Sequence, residues 1–170
     1  MKNLYLMRHA KSSWDDPVRS DIERPLNPRG QRDALRMGEV LGARLAPMTF
    51  HVSPAARAQL TFSGLQMRWP GLTASHGLTI PALYTFDYRA LIQWMAGQGT
   101  ETQSLALVGH NPGLTDLINF LVGHDTLTNL PTAGWVELAL DMEGWAEMPR
   151  AEGSGQLDYR LFPRELSEAI

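Results

Sequence analysis

The amino-acid sequence predicts an α/β fold built around an open, mostly parallel sheet, and three observations indicate this class. Short apolar runs alternate along the chain with longer segments in which apolar residues recur at helical spacing. Two dipeptides, Ser53-Pro54 and Asn111-Pro112, closely follow predicted strands and have the form of a helix start. The 170 residues contain no internal linker or repeat, so we expect a single domain over residues 1–170.

The first half of the chain contains two predicted strands and two predicted helices. Asn3–Met7 is a short apolar run that ends at polar residues, as a buried strand does, and Phe50–Val52 is a shorter run of this kind. Asn27-Pro28 and Ser53-Pro54 each pair a helix-capping side chain with a proline suited to the first helical position. The apolar faces of the helices that follow consist of Ala34, Met37, Leu41 and Leu45 in the first and of Ala58, Phe62, Leu65 and Trp69 in the second.

The second half adds two predicted helices and three predicted strands. Ser104–Val108 is a second clear buried strand, closed by Gly109, and Trp135–Asp141 and Gln156–Phe162 are late strands. The glycines and proline of Glu143–Gly155 indicate a loop between those two. The apolar faces of the helices consist of Tyr88, Leu91, Ile92 and Met95 in the first and of Leu114, Leu117, Ile118, Leu121 and Val122 in the second.

The composition excludes several classes of function. With 15 basic and 18 acidic side chains the net charge is −3, and no Lys/Arg-rich run indicates a nucleic-acid partner. The absence of cysteine excludes a disulfide scaffold, a thiolate zinc site, an iron–sulfur cluster and a cysteine nucleophile. No apolar run has the length of a membrane span, and the run Leu4–Met7 stops at Arg8, far short of a signal-peptide core. We therefore expect a cytoplasmic protein without a membrane partner.

Charged side chains follow three of the predicted strands, at the point where each strand ends. Arg8 and His9 follow the first strand, Arg57 lies just beyond Ser53-Pro54, and His110 follows the strand closed by Gly109. Because the carboxyl ends of parallel strands meet at one edge of a sheet, we expect these four side chains to share one pocket.

Such a pocket suits a phosphoryl group. An arginine binds two phosphoryl oxygens at once, and the free N–H groups of a helix start add positive potential. Phosphoryl transfer also needs an in-line nucleophile, a role that a neutral imidazole nitrogen can fill. Since two arginines lie nearby, like-charge repulsion predicts that His9 is neutral.

Four segments of the chain resemble the motifs of one family in the correct order, and four short motifs in order are a specific signal. The family is the histidine phosphatase superfamily, and within it the SixA-type phosphohistidine phosphatase branch. The matching segments are Leu4–Trp14, Arg24–Gly30, Ser53–Ala58 with Thr61, and Val108–Gly113.

The resemblance implies a fold, a cofactor requirement and a set of roles. The implied fold is a three-layer α/β/α sandwich like that of phosphoglycerate mutase, with no metal and no cofactor. His9 would be the nucleophile that is transiently phosphorylated, Arg8 and Arg57 would bind the phosphoryl oxygens, and His110 would bind an oxygen and stabilise the transition state. Ser12 matches a hydroxyl that follows the first motif in many relatives and is a candidate substrate-binding residue.

The sequence departs from the mutase-type relatives at several positions. Asp15 stands where those relatives carry a phosphate-binding asparagine, and Leu60 stands where many have glutamine. The segment 81–86 lacks the glutamate that serves them as general acid, and the nearest carboxylate there is Asp87. We interpret Asp87 as the cap of the following helix, with a general-acid role as the alternative. We interpret Asp15, Asp16 and Asp21 as residues that solvate a loop.

The leading hypothesis is a metal-independent phosphatase that forms a phosphohistidine intermediate and dephosphorylates a phosphohistidine on a signalling protein. A missing general acid fits this substrate, because imidazole leaves far more easily than an alkoxide. One alternative is a phosphomonoesterase for a small phosphorylated substrate, with the same fold and Asp87 as its acid. The other is a catalytically inactive phosphate-binding module. His51, His76 and His124 show no compact metal-ligand spacing and are expected to be structural or exposed.

Overall fold

A six-stranded sheet forms the middle layer of the molecule, and its strands are the apolar runs identified in the sequence with one addition. The computed structural model describes residues 1–166, so the last four residues of the domain expected over residues 1–170 lie outside the described range. The strands are β1 (Lys2–Arg8), β2 (Phe50–Val52), β3 (Gly77–Thr79), β4 (Ser104–Gly109), β5 (Trp135–Leu140) and β6 (Gly155–Leu161).

The strand order is β3-β2-β4-β1-β5-β6, and the parallel part of the sheet lies on one side. The pairs β3–β2, β2–β4 and β4–β1 are parallel, whereas β5 and β6 continue the sheet antiparallel. The predicted mostly parallel α/β sheet is therefore confirmed. Only β5 is reversed: it is antiparallel to β1, and β6, which is antiparallel to β5, runs in the same direction as the parallel strands.

Within residues 1–166, four α-helices cover the two faces of the sheet: α1 (Pro28–Arg44), α2 (Ala56–Arg68), α3 (Tyr88–Ala96) and α4 (Gly113–Val122). Residues of α1 and α2 pack in one apolar cluster, and residues of α3 and α4 pack in another. Successive side chains of a strand point to opposite faces of the sheet, so the strands contribute to both clusters. Leu4 and Leu6 of β1 belong to the cluster with α3 and α4, whereas Met7 belongs to the cluster with α1 and α2. This is the predicted three-layer α/β/α arrangement.

Two glycines allow α1 and α2 to pack very closely. A Cβ atom at Gly38 would lie 2.6 Å from the carbonyl oxygen of Leu65, and one at Gly64 would lie 2.5 Å from Cβ of Ala34. Both distances are far below van der Waals contact, so only glycine fits. The close packing brings the amino-terminal ends of both helices to the edge of the sheet where β1, β2 and β4 end.

Two of the helix starts agree with the sequence signals. α1 begins at Pro28, and the Asn27 side chain accepts a hydrogen bond of 2.8 Å from the backbone N–H of Gly30. α3 begins at Tyr88, and the Asp87 carboxylate accepts a hydrogen bond of 2.9 Å from the backbone N–H of Arg89. The interpretation of Asp87 as a helix cap is thus confirmed.

The other two starts lie later than the sequence signals placed them. α2 begins at Ala56 rather than Pro54, and its N-cap residue Ala55 has no capping side chain. α4 begins at Gly113, one residue after Pro112, although the Asn111 side chain still accepts a hydrogen bond of 3.1 Å from the backbone N–H of Thr115. In the first case the Ser53 hydroxyl accepts a hydrogen bond from the backbone N–H of Ala55 and also contacts a histidine, as described below.

Two further segments differ from expectation. The edge strand β3 was not predicted, because it has three residues and only one of them, Leu78, is a large apolar residue. The stretch Glu143–Gly155 is not a plain loop, since Trp145–Arg150 forms a 3₁₀ helix whose Trp145 and Met148 side chains are buried in the α3/α4 cluster. Tertiary packing outweighs the local turn signals there.

Across residues 1–166, no helix combines the length and the apolar character that crossing a bilayer requires.

Candidate active site

The ends of three neighbouring strands bring the predicted site residues to one edge of the sheet. β2, β4 and β1 lie side by side and are parallel, and Arg8 at the end of β1 pairs with Gly109 at the end of β4. His9 and His110 are the next residues of these two strands, so they leave the sheet at adjacent points. The backbone N–H of His9 donates to the carbonyl of Gly109 at 3.1 Å, which extends the strand pairing to the histidine itself.

The two imidazole rings are close together and buried. Their centroids are 5.3 Å apart, and His9 and His110 are 7% and 1% exposed. Nδ1 of His9 lies 2.7 Å from the carbonyl oxygen of Ala10. Since a carbonyl oxygen can only accept, Nδ1 carries the hydrogen, and Nε2 of the neutral ring holds the lone pair.

Both histidines are neutral at physiological pH. Burial lowers the pKa of His9 to about 3, and the charges of Arg57 and Arg8 act in the same direction, against the hydrogen bond to Ala10. Burial, followed by the charge of Arg57, lowers the pKa of His110 to about 4. The neutral state expected for His9 is therefore found, although burial outweighs the arginine repulsion from which it was predicted.

Ser53 and two aromatic rings hold the imidazole of His110. The Ser53 hydroxyl lies 2.7 Å from Nε2 of His110 and accepts a hydrogen bond of 3.2 Å from the backbone N–H of Ala55. Tyr84 and Phe86 pack edge-on against the ring, each with its centroid at 5.5 Å. These contacts fix the ring plane and make an aromatic wall on one side of the site.

Arg57 lies in the first turn of α2 and is 2% exposed. Its Nη1 donates to the backbone carbonyl of Asp21 at 2.7 Å, and its Nη2 donates to Oδ2 of Asp21 at 3.0 Å. The Thr61 hydroxyl donates to the carbonyl of Arg57 at 2.7 Å and accepts from the backbone N–H of Ala10 at 2.8 Å. Thr61 thus ties the turn that carries Arg57 to the loop that carries His9.

Arg8 completes the group of four predicted residues. Its Nη1 donates to the carbonyl of Leu130 at 3.0 Å. Burial lowers the pKa of Arg8, and the positive charge of Arg57 acts in the same direction. A half-buried cation beside a second one favours the binding of an anion.

Unpaired nitrogen atoms are concentrated in this group. Among residues 1–166, five buried side-chain polar atoms have no hydrogen-bond partner, and three of them are Nε of Arg8, Nε of Arg57 and Nδ1 of His110. Unsatisfied buried polar atoms are rare and unfavourable in folded proteins. Their concentration on three of the four predicted residues is typical of a site built for an oxyanion.

Two further candidates lie beside the group. The hydroxyl of Ser12 is buried and accepts a hydrogen bond of 2.6 Å from Nη1 of Arg24, so Ser12 contacts a guanidinium. Asp87 is exposed, and hydrogen bonds from the backbone and side chain of Arg89 lower the pKa of its carboxyl. Asp87 is therefore ionised at neutral pH, which is the wrong state for a general acid.

The comparison with known families agrees with the motif order in the sequence. The model of the histidine phosphatase superfamily (branch 1) matches residues 4–84, which include Arg8, His9 and Arg57. The SixA protein of Agrobacterium tumefaciens superposes on the chain with a TM-score of 0.77 and 28% identity, over 95% of this chain and 98% of that one. The chain belongs to the histidine phosphatase superfamily. The predicted resemblance to its SixA-type branch is confirmed, and the protein is a phosphatase.

Other relatives of this histidine phosphatase cover most of its length. The protein histidine phosphatase SixA, solved with tungstate, has the same fold with a TM-score of 0.78 and 23% identity, over 97% of this chain and 99% of that one. An uncharacterized chloroplastic protein of Arabidopsis thaliana is 27% identical over 91% of this chain and 73% of its own length. An uncharacterized protein of Mycobacterium tuberculosis is 36% identical over 72% of this chain and 65% of its own length.

The role expected for Asp21 in this histidine phosphatase is wrong. Asp21 was expected to solvate a loop together with Asp15 and Asp16, but its carboxylate accepts hydrogen bonds from Arg57, Arg24 and Tyr84. These hydrogen bonds and the charge of Arg57 outweigh the opposing effect of burial and lower the pKa of Asp21 to about 2. The local sequence signal was the spacing of Asp21 and Arg24, three residues apart, which form an ion pair with a distance of 3.1 Å.

Arg24 is the second residue that sequence reasoning did not assign to the site. It belongs to a segment quoted for the family resemblance, but nothing in the sequence shows where its side chain lies. In the structure it is buried between the Ser12 hydroxyl and the Asp21 carboxylate. Its guanidinium carbon also lies 3.6 Å from the ring centroid of Trp14, which is 71% exposed. The site therefore contains three guanidinium groups and one carboxylate.

Proposed function

We propose that this histidine phosphatase transfers a phosphoryl group from its substrate to Nε2 of His9 and then to water, and that the substrate is a phosphohistidine on a signalling protein. The observation that carries the proposal is the convergence of two buried imidazoles with the buried guanidinium of Arg57 and the half-buried guanidinium of Arg8, whose unpaired nitrogens share one edge of the sheet.

In the first step, the lone pair on Nε2 of His9 attacks phosphorus in line with the leaving group. A P–N bond to His9 forms while the bond from phosphorus to the leaving group breaks. The hydrogen on Nδ1 stays bonded to the Ala10 carbonyl, which holds the ring in the nucleophilic tautomer. Arg8, Arg57 and His110 bind the non-bridging oxygens, on which charge spreads in the transition state.

In the second step, water attacks phosphorus from the side opposite His9. The P–N bond to His9 breaks, its electron pair returns to Nε2, and inorganic phosphate leaves with the oxygen of the water. The low pKa of His9 favours this step, because a weakly basic imidazole is a good leaving group.

The state of the carboxylates favours a substrate with a P–N bond. Asp21 has a pKa of about 2, and the pKa of Asp87 is also lowered, so neither holds a proton to give to a departing alkoxide at neutral pH. An imidazole whose second ring nitrogen carries a proton takes the electron pair of the P–N bond and leaves as a neutral molecule, whose conjugate acid has a pKa of about 6.5, so it needs far less assistance. The likeness to the Agrobacterium tumefaciens SixA, which is named as a phosphohistidine phosphatase, supports the same substrate.

The reaction is proposed to need no metal ion. The guanidinium groups of Arg8 and Arg57 supply the positive charge that a metal would otherwise bring to the phosphoryl oxygens. Within the described part of the chain, no three histidine, aspartate or glutamate side chains are grouped as metal ligands. Activity undiminished by exhaustive chelation is the expected result, and restoration of lost activity by an added divalent ion would contradict it.

Trapping of the phosphoenzyme tests the mechanism. The wild-type protein, mixed with labelled substrate and quenched in alkaline denaturant, is expected to carry one phosphoryl group on His9, located by peptide mass analysis. His9→Ala is expected to show neither label nor turnover while it keeps the wild-type melting temperature. His124→Ala, which alters an exposed histidine, is the matched control and is expected to retain both. Full activity of His9→Ala would refute the mechanism.

A comparison of two substrates tests the substrate class. A phosphohistidine-containing protein is expected to give a higher kcat/KM than an alkyl phosphomonoester, because only the alkyl substrate needs a proton from the missing acid. A preference for the alkyl ester would favour the small-molecule phosphomonoesterase. Absence of turnover and of label with either substrate would favour the inactive phosphate-binding module.

A further inference from the structure

The Asp21 carboxylate joins three side chains from separate segments of the chain. Oδ2 accepts hydrogen bonds from Nη2 of Arg57 at 3.0 Å and from the hydroxyl of Tyr84 at 2.6 Å. Oδ1 accepts from Nε and Nη2 of Arg24 at 3.3 and 3.1 Å. Arg57 belongs to α2, Arg24 follows the 3₁₀ turn Asp21–Glu23, and Tyr84 precedes α3. A carboxylate with this many donors holds its neighbours in place more firmly than a loop-solvating residue could.

The two hydrogen bonds from Arg57 to Asp21 fix the plane of the guanidinium. One goes from Nη1 to the backbone carbonyl of Asp21 and the other from Nη2 to its carboxylate, so both terminal nitrogens are held by one residue. A guanidinium is planar and rigid, with five N–H donors in fixed directions. Anchoring its two terminal nitrogens therefore sets the direction of the remaining N–H groups, including the unpaired Nε.

The charge of Asp21 also balances the group. Arg8, Arg24 and Arg57 bring three positive charges and Asp21 one negative charge, and both histidines are neutral, so the net charge is +2. This value complements a phosphoryl dianion. Loss of the carboxylate would leave Arg24 and Arg57 as two cations whose mutual repulsion nothing offsets on that side.

We propose that Asp21 is a positioning residue of the reaction, which holds the Arg57 guanidinium in the orientation that binds the phosphoryl oxygens and links it to Arg24 and Tyr84. This inference rests on the proposed function of Arg57. Asp21 is not a catalytic residue in this scheme, because it acts on the phosphoryl group only through Arg57.

The same contact could have the opposite effect if the Asp21 carboxylate competed with the phosphoryl group for the N–H groups of Arg57. A carboxylate bound to a guanidinium occupies donors that a phosphoryl oxygen could use, so its removal would then increase activity. The two roles predict opposite signs for the effect of Asp21→Asn on kcat/KM, and the sign can be measured directly. The orientation role is favoured because Asp21 takes one N–H from each terminal nitrogen and leaves Nε unpaired.

A double-mutant cycle on Asp21 and Arg57 tests the proposal, with p-nitrophenyl phosphate as the probe. Asp21→Asn keeps the size of the side chain but places an NH₂ group against the donors of Arg57, Arg24 or Tyr84. It is expected to lower kcat by about 10-fold to about 100-fold with KM changed by less than about threefold, because misaligned charge weakens transition-state binding most. Arg57→Ala is expected to lower kcat further, and Asp21→Asn added to it is expected to change kcat by less than about twofold.

Asp16→Asn is the matched control, since Asp16 lies in the same loop and forms its own ion pair with Arg19 at 3.3 Å. It is expected to leave kcat and KM unchanged, and melting temperatures of all variants are measured alongside. Two results would overturn the positioning role. One is a loss of kcat in the double variant equal to the product of the losses in the two single variants, and the other is a rise of kcat/KM in Asp21→Asn. Wild-type activity of Arg57→Ala would instead overturn the proposed function, and this inference with it.

Discussion

The two ring nitrogens of His9 have separate tasks. Nδ1 is fixed by a hydrogen bond of 2.7 Å to the carbonyl of its neighbour Ala10, and Nε2 keeps the lone pair that the proposed mechanism uses. Because the acceptor is the backbone of the adjacent residue, the orientation survives any change of side chain nearby. The sequence predicts which histidine is the nucleophile, but the tautomer depends on a backbone geometry that only the folded structure supplies.

The shape of the Arg57 side chain is expected to matter as much as its charge. Arg57→Lys keeps the positive charge but loses the planar fork that binds Asp21 and a phosphoryl oxygen at the same time. We expect it to lower kcat/KM by roughly a hundredfold, about 3 kcal/mol of transition-state stabilisation. Steady-state kinetics on p-nitrophenyl phosphate measure the change.

Arg68→Lys is the control for that substitution. It alters an exposed arginine at the other end of the same helix and is expected to be silent. Equal activities of Arg57→Lys and the wild type would mean that a point charge suffices at this position.

Residues that directly follow a strand could be selected from the sequence, whereas their partners could not. Arg8, His9 and His110 stand out because predicted strands end beside them, and Arg57 because it lies near a helix start. Asp21 lies in a polar loop, and its contact with Arg57 spans 36 residues. No local pattern encodes such a contact, so the loop-solvating interpretation was wrong.

At the level of elements, the contact between α1 and α2 depends on the absence of a side chain at Gly38. Alanine has the higher helix propensity, by roughly 1 kcal/mol, and on that ground Gly38→Ala would stabilise α1. The added Cβ would instead meet the carbonyl oxygen of Leu65 at 2.6 Å and push α2 away. We expect a net destabilisation of about 1–3 kcal/mol, measured by urea unfolding.

Ala43→Gly provides the matched comparison on the same helix, at an exposed position. It is expected to lower the free energy of unfolding by about 1 kcal/mol through helix propensity alone. An increase in stability for Gly38→Ala would show that the helices can separate without loss.

The first residue of a helix was predictable where the capping side chain in the sequence also caps the helix in the folded structure. α1 begins at its proline because Asn27 is free to cap it. α2 begins two residues after Pro54, and the Ser53 hydroxyl binds both the backbone N–H of Ala55 and Nε2 of His110, a residue 57 positions away. The sequence shows the capping signal but not the contact with His110.

At the level of the whole molecule, the buried histidines link stability to pH. The pKa values of His9 and His110 fall from the ordinary value to about 3 and about 4, so below the ordinary value the unfolded chain binds protons that the folded chain does not. Burial lowers the pKa of His51 as well, in the same direction. The contribution of these histidines to the free energy of unfolding is therefore greatest above about pH 6.5. It decreases as the pH falls toward their pKa values in the folded state.

The expected loss between about pH 7.5 and about pH 5 is roughly 2 kcal/mol for each of His9 and His110. Urea unfolding at the two pH values measures it. His9→Ala is expected to lose about 2 kcal/mol less than the wild type over the same interval. An identical loss in the two proteins would mean that His9 titrates normally in the folded state.

The layered architecture was predictable because the apolar periodicities are strong. β1 alternates between the two clusters, with Leu4 and Leu6 on one side and Met7 on the other, and the helical stripes supply both outer layers. The order of the strands and the reversed direction of β5 could not be read from these patterns. They depend on which apolar faces meet across the whole chain, a choice that local periodicity does not encode.

Because Arg8 pairs with Gly109 in the centre of the sheet, the spacing of the two imidazoles is set by the spacing of adjacent strands, about 4.8 Å. By contrast, Trp14, Tyr84 and Phe86 project from connecting segments outside the sheet. Replacing the exposed Trp14 is therefore expected to alter which molecules reach the site, while the spacing of the two imidazoles stays the same. In this architecture substrate access can change in evolution without a change in the spacing of the two imidazoles.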